Sequence, residues 1–165
     1  MIQISSNRKI NIHQKDYEEI IRQTSFNKIK CPKCNHKGGF VYHAYYYRIV
    51  HTESGKIRLR ITRIKCKSCG GTHALLTDDM VPYSKVLCNV QIKMISANSI
   101  QSCEGILCLY ELDSHMYYQI KKRYFKKWMH KIDILNLHFN VVKESFRLYS
   151  KMFMQIKNIN NTLID

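Results

Sequence analysis

The sequence predicts an α+β chain, a small β unit near the start followed by an all-helical remainder. Three observations predict it: two Cys-x-x-Cys pairs that bracket a stretch rich in β-branched and aromatic residues, turn residues at both pairs, and helical periodicity without proline from Tyr83 onward. The expected organisation is a polar lead-in over 1–29 with one short helix, a three-stranded unit over 30–77, a hinge at 78–82, and a helical domain over 83–165.

The pairs are Cys31/Cys34 and Cys66/Cys69. Each places two thiols on one tight turn, and zinc takes four soft ligands at tetrahedral corners. Pro32 presets φ in the first turn, and Gly70 or Gly71 can supply a positive φ after the second. Lys30, Lys33, Lys37, Lys65 and Lys67 surround the thiols and would offset the double negative charge of a zinc with four thiolates. One structural zinc is therefore expected, with His36 and His73 as nearby capping or stacking residues that could also substitute as ligands. Cys88, Cys103 and Cys108 fall outside the pattern and are expected as small buried apolar residues.

Within the β unit, residues 39–50 (GFVYHAYYYRIV) read as one strand and Ser54-Gly55 as a turn. Residues 57–65 alternate Ile57, Leu59 and Ile61 with Arg58, Arg60 and Thr62, a half-buried strand with a basic outer face. Parity slips at Arg63/Ile64, which suggests a bulge there. Thr72–Leu76 makes the third strand, completing a zinc ribbon. In the lead-in, Tyr17, Ile20 and Ile21 share one side of a short helix.

In the helical domain, Ser84 is a candidate N-cap for a helix carrying Val86, Leu87, Val90, Ile92, Met94 and Ile95. A short apolar helix from Ser102, a turn at Leu112-Asp113-Ser114 and a basic helix over 115–130 follow, the layout of a helix-turn-helix. A last helix is expected over 133–157. The basic helix places Tyr117, Ile120, Tyr124 and Trp128 at core spacing and His115, Gln119, Lys122 and Lys126 opposite. His115, Tyr118, Gln119 and Lys122 are the candidates for base edges, and Lys121, Arg123, Lys126, Lys127 and Lys131 add charge for phosphates. Arg48, Arg58, Arg60 and Arg63, interleaved with Tyr42, Tyr45, Tyr46 and Tyr47, form a second basic surface on the hairpin.

The net charge of +15 favours a polyanionic partner. Double-stranded DNA is the leading expectation. The alternatives are a protein or ribonucleoprotein partner, with the last helix as a partner or homodimer interface, and single-stranded nucleic acid on the tyrosine-rich hairpin. No run of apolar residues is long enough to span a membrane and the start lacks a signal-peptide pattern, so a cytoplasmic setting is expected. The 12 acidic residues are scattered and a four-cysteine site has no open position, so no catalysis is expected.

The stretch from Cys31 to Ser84 resembles an uncharacterised bacterial zinc-ribbon family of Firmicutes, related to the N-terminal recognition regions of insertion-sequence transposases. The matching residues are Cys31-Pro32-x-Cys34, Arg63-x-x-Cys66-Lys67-x-Cys69-Gly70, Thr72-His73-Ala74-Leu75-Leu76 and Val81-Pro82-Tyr83-Ser84. Thr77 departs from the proline usual there. The resemblance implies a zinc ribbon followed by a helix-turn-helix for DNA recognition, in a bacterial or phage-infected cell.

Overall fold

The tyrosine-rich run and the alternating run behind it form one long antiparallel hairpin in the computed structural model, which describes residues 1–4 and 12–128. Strand β2 (Phe40–Thr52) pairs with β3 (Gly55–Cys66) from Phe40↔Cys66 to Thr52↔Gly55, leaving Glu53 and Ser54 as the turn. One face carries Tyr46, Val50, Leu59 and Ile61 toward the core; the other presents Tyr45, Tyr47, Ile49, Arg58 and Arg60 to solvent. The irregularity lies between Tyr42 and Ala44 on β2, opposite Ile64 and Arg63. The parity slip in β3 thus has two sources: the partner strand bulges at His43, and Ile64 turns to a separate buried cluster on the other face.

The expected three strands are four. Strand β4 (Thr72–Thr77) pairs antiparallel with β3, and β1 (Ile2–Ile4) pairs parallel with β4, giving the order β1-β4-β3-β2. The lead-in therefore supplies part of the sheet. Central β4 buries Ala74, Leu75 and Leu76, the continuous apolar run expected of a strand covered on both faces.

Helix α1 (Gln14–Gln23) packs on the sheet through Tyr17. The Tyr17 hydroxyl donates to the Leu75 carbonyl at 3.0 Å and accepts from the Thr62 N–H at 2.9 Å, so it ties β4 to β3. Burial pushes its pKa up to about 12, which keeps that donor protonated.

The segment Asp78–Pro82, expected as a hinge, packs inward, with Met80 and Val81 buried. Ser84 does not cap the next helix. Its Oγ accepts from the Val86 N–H and from Gln91, while the Lys85 carbonyl accepts the His51 N–H. That pairing holds the backbone extended at Lys85–Val86, and α2 begins only at Cys88, running to Ser96. A 3₁₀ turn at Gln101–Cys103 leads into α3 (Glu104–Leu109). Then α4 (Ser114–Arg123) starts behind Asp113, whose side chain accepts from the Met116 N–H at 2.7 Å, and widens into a π-helical turn over Tyr124–Trp128. The helix expected over 133–157, Lys131, and the side chains of Lys127 and Trp128 lie outside the described residues.

These helices share a core of Val86, Val90, Met94, Cys103, Tyr117 and Ile120. Of the three cysteines expected inside, Cys103 is fully buried, Cys88 is half-buried and Cys108 is exposed, because short α3 offers only one side to the core. The hairpin tip docks on the turn before α4. His51 Nδ1 lies 2.9 Å from the Tyr110 carbonyl, the Tyr110 hydroxyl donates to Glu53 at 2.7 Å, and Lys56 pairs with Glu111 at 3.1 Å.

Tyr17→Phe removes one hydroxyl and leaves the half-buried Thr62 N–H and the buried Leu75 carbonyl without that partner. The expected cost is about 1–3 kcal/mol of unfolding free energy, read from denaturant titration followed by far-UV circular dichroism.

Candidate metal centre

The two cysteine turns are built alike. In the first, the Asn35 N–H donates to the Cys31 carbonyl and the Cys31 N–H donates to the His36 carbonyl, both at 2.8 Å. In the second, the Gly70 N–H donates to the Cys66 carbonyl and the Cys66 N–H to the Gly71 carbonyl, both at 2.9 Å. The residue after the second cysteine must take a left-handed conformation to close each turn: φ is +59° at Asn35 and +68° at Gly70. Asparagine and glycine are the residues that do so at least cost.

Cys66 ends β3 opposite Phe40, and the Lys67 N–H donates to the Gly39 carbonyl at 2.8 Å, so the second turn is fixed beside the first. All four sulfurs then lie within 4.8 Å of one another. Cys31 Sγ is 3.7 Å from Cys69 Sγ, and Cys34 Sγ is 3.8 Å from Cys66 Sγ. A metal bonded to four sulfurs at about 2.3 Å sets them about 3.8 Å apart at the corners of a tetrahedron. A disulfide would need about 2.05 Å. The tetrad could hold a single metal ion and is consistent with one structural zinc; among the described residues no other group of three His, Cys, Asp or Glu side chains comes together in this way.

The thiols differ in environment. Burial pushes Cys31 up to about 11, against the lowering effect of the Cys34 and Lys33 N–H groups. Exposed Cys34 is drawn down to about 7, chiefly by the His36 N–H. Backbone donors thus favour thiolates at the first turn, and a bound cation would supply the rest of the compensation for Cys31. His73 is not one of the four, yet its Nε2 stands 3.4 Å from Cys31 Sγ. Burial lowers its pKa to about 4, so it is neutral near pH 7 and can offer one N–H to the sulfur. Phe40 meets its ring edge-on at 6.1 Å. Gly71 keeps this side open: a Cβ there would come within 3.3 Å of Cys69 Sγ and of Lys33 Cδ and 3.4 Å of His73 Nε2, so those neighbours would have to give by a few tenths of an ångström. His36 makes no part of the tetrad and serves the first turn through its backbone.

The remaining nominated residues separate into two groups. His115, Tyr118, Gln119, Lys122 and Lys126 all lie on the exposed side of α4 and the turn that follows it, while Tyr117, Ile120 and Tyr124 are buried. Lys121 turns inward instead, with Nζ bonded to the Ala97 carbonyl and 5.2 Å from the Tyr117 ring, and Arg123 is half-buried. On the hairpin, Arg58 is exposed and stacks 3.9 Å above Tyr47, Arg60 pairs with Glu18 at 2.8 Å, and Arg48 is drawn in to bond the Val81 and Ser84 carbonyls.

The architecture is that of an α+β protein with a cluster of four cysteines that could hold a metal ion. Residues 31–109 are similar to a family described as a domain of unknown function (DUF6431). That span is a little under half of the chain, opens on the first cysteine of the tetrad and closes at the end of α3, so α1 and α4 lie outside it. No curated protein and no solved structure matches the chain. Among the described residues, no helix is long and apolar enough to cross a membrane.

Cys66→Ser should lower metal content to well below one equivalent and melt the hairpin base, since apparent structural-zinc binding energies of roughly 10–16 kcal/mol act as folding energy. Elemental analysis of purified protein paired with thermal denaturation checks both effects, and full metal loading in the variant contradicts the assignment.

Proposed function

We propose that this chain is a non-catalytic, zinc-dependent protein that binds double-stranded DNA, with α4 as the element entering the major groove. The exposed side of α4 carries this reading. Five polar, basic or aromatic side chains, His115, Tyr118, Gln119, Lys122 and Lys126, stand in one stripe while the buried side grips α2. An α-helix fits the major groove, and its first turns meet base edges while later cations meet phosphates. The Asp113 cap fixes where α4 begins, and Gln119 lies 2.6 Å from His115, which orients both side chains.

The tetrad supports zinc in the clamp, because four thiolates in a tetrahedron match its preferred geometry and leave no open ligand position. Among the described residues, the only group of His, Cys, Asp or Glu side chains that could share a metal ion is the cysteine tetrad, and Glu18, Glu53 and Glu111 are engaged by Arg60, Tyr110 and Lys56, which fits a binding role. Arg58 covers Tyr47, so the hairpin presents a guanidinium outward, suited to a phosphate beside the groove. The resemblance to transposase recognition regions points the same way and would make the chain transposase-derived or a mobile-element accessory.

With on the order of five phosphate contacts, log affinity for a duplex should fall against log salt with a slope near −4 to −5. Lys122→Gln combined with Lys126→Gln should reduce that slope by about 2 and leave metal content unchanged. Fluorescence anisotropy across a salt series decides it. A salt-independent complex, or no binding at low salt, contradicts the reading.

A further inference from the structure

A cleft of about 700 Å³ opens between the sheet and the segment that carries Tyr83, Ser84 and Lys85. Its size falls within the range of small-molecule sites, roughly 300–1,000 Å³. The lining combines aromatic rings, among them Tyr46 and Tyr83, with the cations Arg48, Arg63 and Lys85, and includes no carboxylate. Two of the cations are anchored: Arg63 donates to Thr72 Oγ1 at 2.8 Å, and Arg48 bonds the Val81 and Ser84 carbonyls. Tyr83 holds a left-handed backbone with φ +58° and remains 57% exposed. A bulky non-glycine residue in that region is uncommon, and such conformations gather at ligand sites. A planar ring with an attached anion matches this combination of aromatic faces and uncompensated positive charge.

We propose that this cleft receives one unpaired nucleotide, its base against Tyr83 and Tyr46 and its phosphate toward Arg63 and Lys85. For a polymer source the proposal rests on the nucleic-acid reading above; a free nucleoside monophosphate offers the same chemistry. The zinc-loaded full chain is titrated with three probes: a duplex bearing one bulged 2-aminopurine nucleotide, the same duplex fully paired, and free 2-aminopurine ribonucleoside monophosphate. Affinity and 2-aminopurine fluorescence are read together. The bulged duplex should bind about tenfold tighter than the paired one, with quenching, as base–aromatic stacking gives. Tyr83→Gly, which keeps the positive φ and deletes the ring, and Lys85→Gln should each weaken that preference severalfold while leaving paired-duplex affinity nearly unchanged.

Equal binding of both duplexes with no binding of the free nucleotide overturns the cleft and leaves the duplex reading standing. A preference that survives in both variants places the site elsewhere and also overturns it. Tyr83-dependent binding of the free nucleotide, with neither duplex bound, supports the cleft and removes the DNA reading. If no probe binds, both fall.

Discussion

The constraint on which the rest depends is the convergence of four sulfurs at the open end of the hairpin. Cys66 is the last residue of β3 and pairs with Phe40 at the start of β2, while Cys31 and Cys34 precede that start by one turn. Holding all four within 4.8 Å fixes where the two strands meet, from Phe40↔Cys66 to Tyr42↔Ile64, and the bulge at His43 then shifts the register by one for the pairs out to Thr52↔Gly55. Four thiolates this close repel one another unless a cation sits among them, so metal affinity and the folding of this end are one quantity. His73 extends the centre into β4, because its ring reaches Cys31 from the strand beside β3.

At the far end of the same hairpin the fastening is of a different kind. His51, Glu53 and Lys56 reach the turn at Tyr110 and Glu111, just before α4. The hairpin is therefore held by sulfur at its base and by hydrogen bonds at its tip, and it spans the distance between the metal centre and the helical core. Each exposed ion pair here is worth little alone. The buried His51 and Tyr110 groups matter more, since unpaired they would carry a desolvation cost. The large positive charge is likewise unevenly used: Arg48, Arg60 and Lys121 have internal partners, whereas Lys122 and Lys126 face solvent.

Much of this was legible in the sequence where covalent chemistry or strict periodicity spoke. Two Cys-x-x-Cys turns specify a tetrad almost irrespective of context. The alternation from Ile57 to Thr62 specifies a strand with a basic face, and the spacing of Tyr117, Ile120 and Tyr124 specifies the buried side of α4. What escaped depends on partners distant in the chain. Three residues at Ile2–Ile4 have no pattern of their own and become a strand only because β4 offers an edge. Ser84 has the chemistry of an N-cap, but His51 captures the backbone at Lys85 first. In β2 both faces carry tyrosines, so parity could not show that Arg48 turns inward. The cleft draws its residues from three strands, one loop and Met1, and the positive φ at Tyr83 beside it is invisible in a sequence.

The tetrad would close around a metal with four thiolates alone, His73 standing beside it and not among its ligands. X-ray absorption at the zinc edge of the purified full chain tests this most directly. A single shell of four sulfurs at about 2.3 Å with no nitrogen or oxygen neighbour is expected. A shell containing a light-atom ligand at about 2.0–2.1 Å, from His73 or from water, would contradict it and would reopen the site to chemistry.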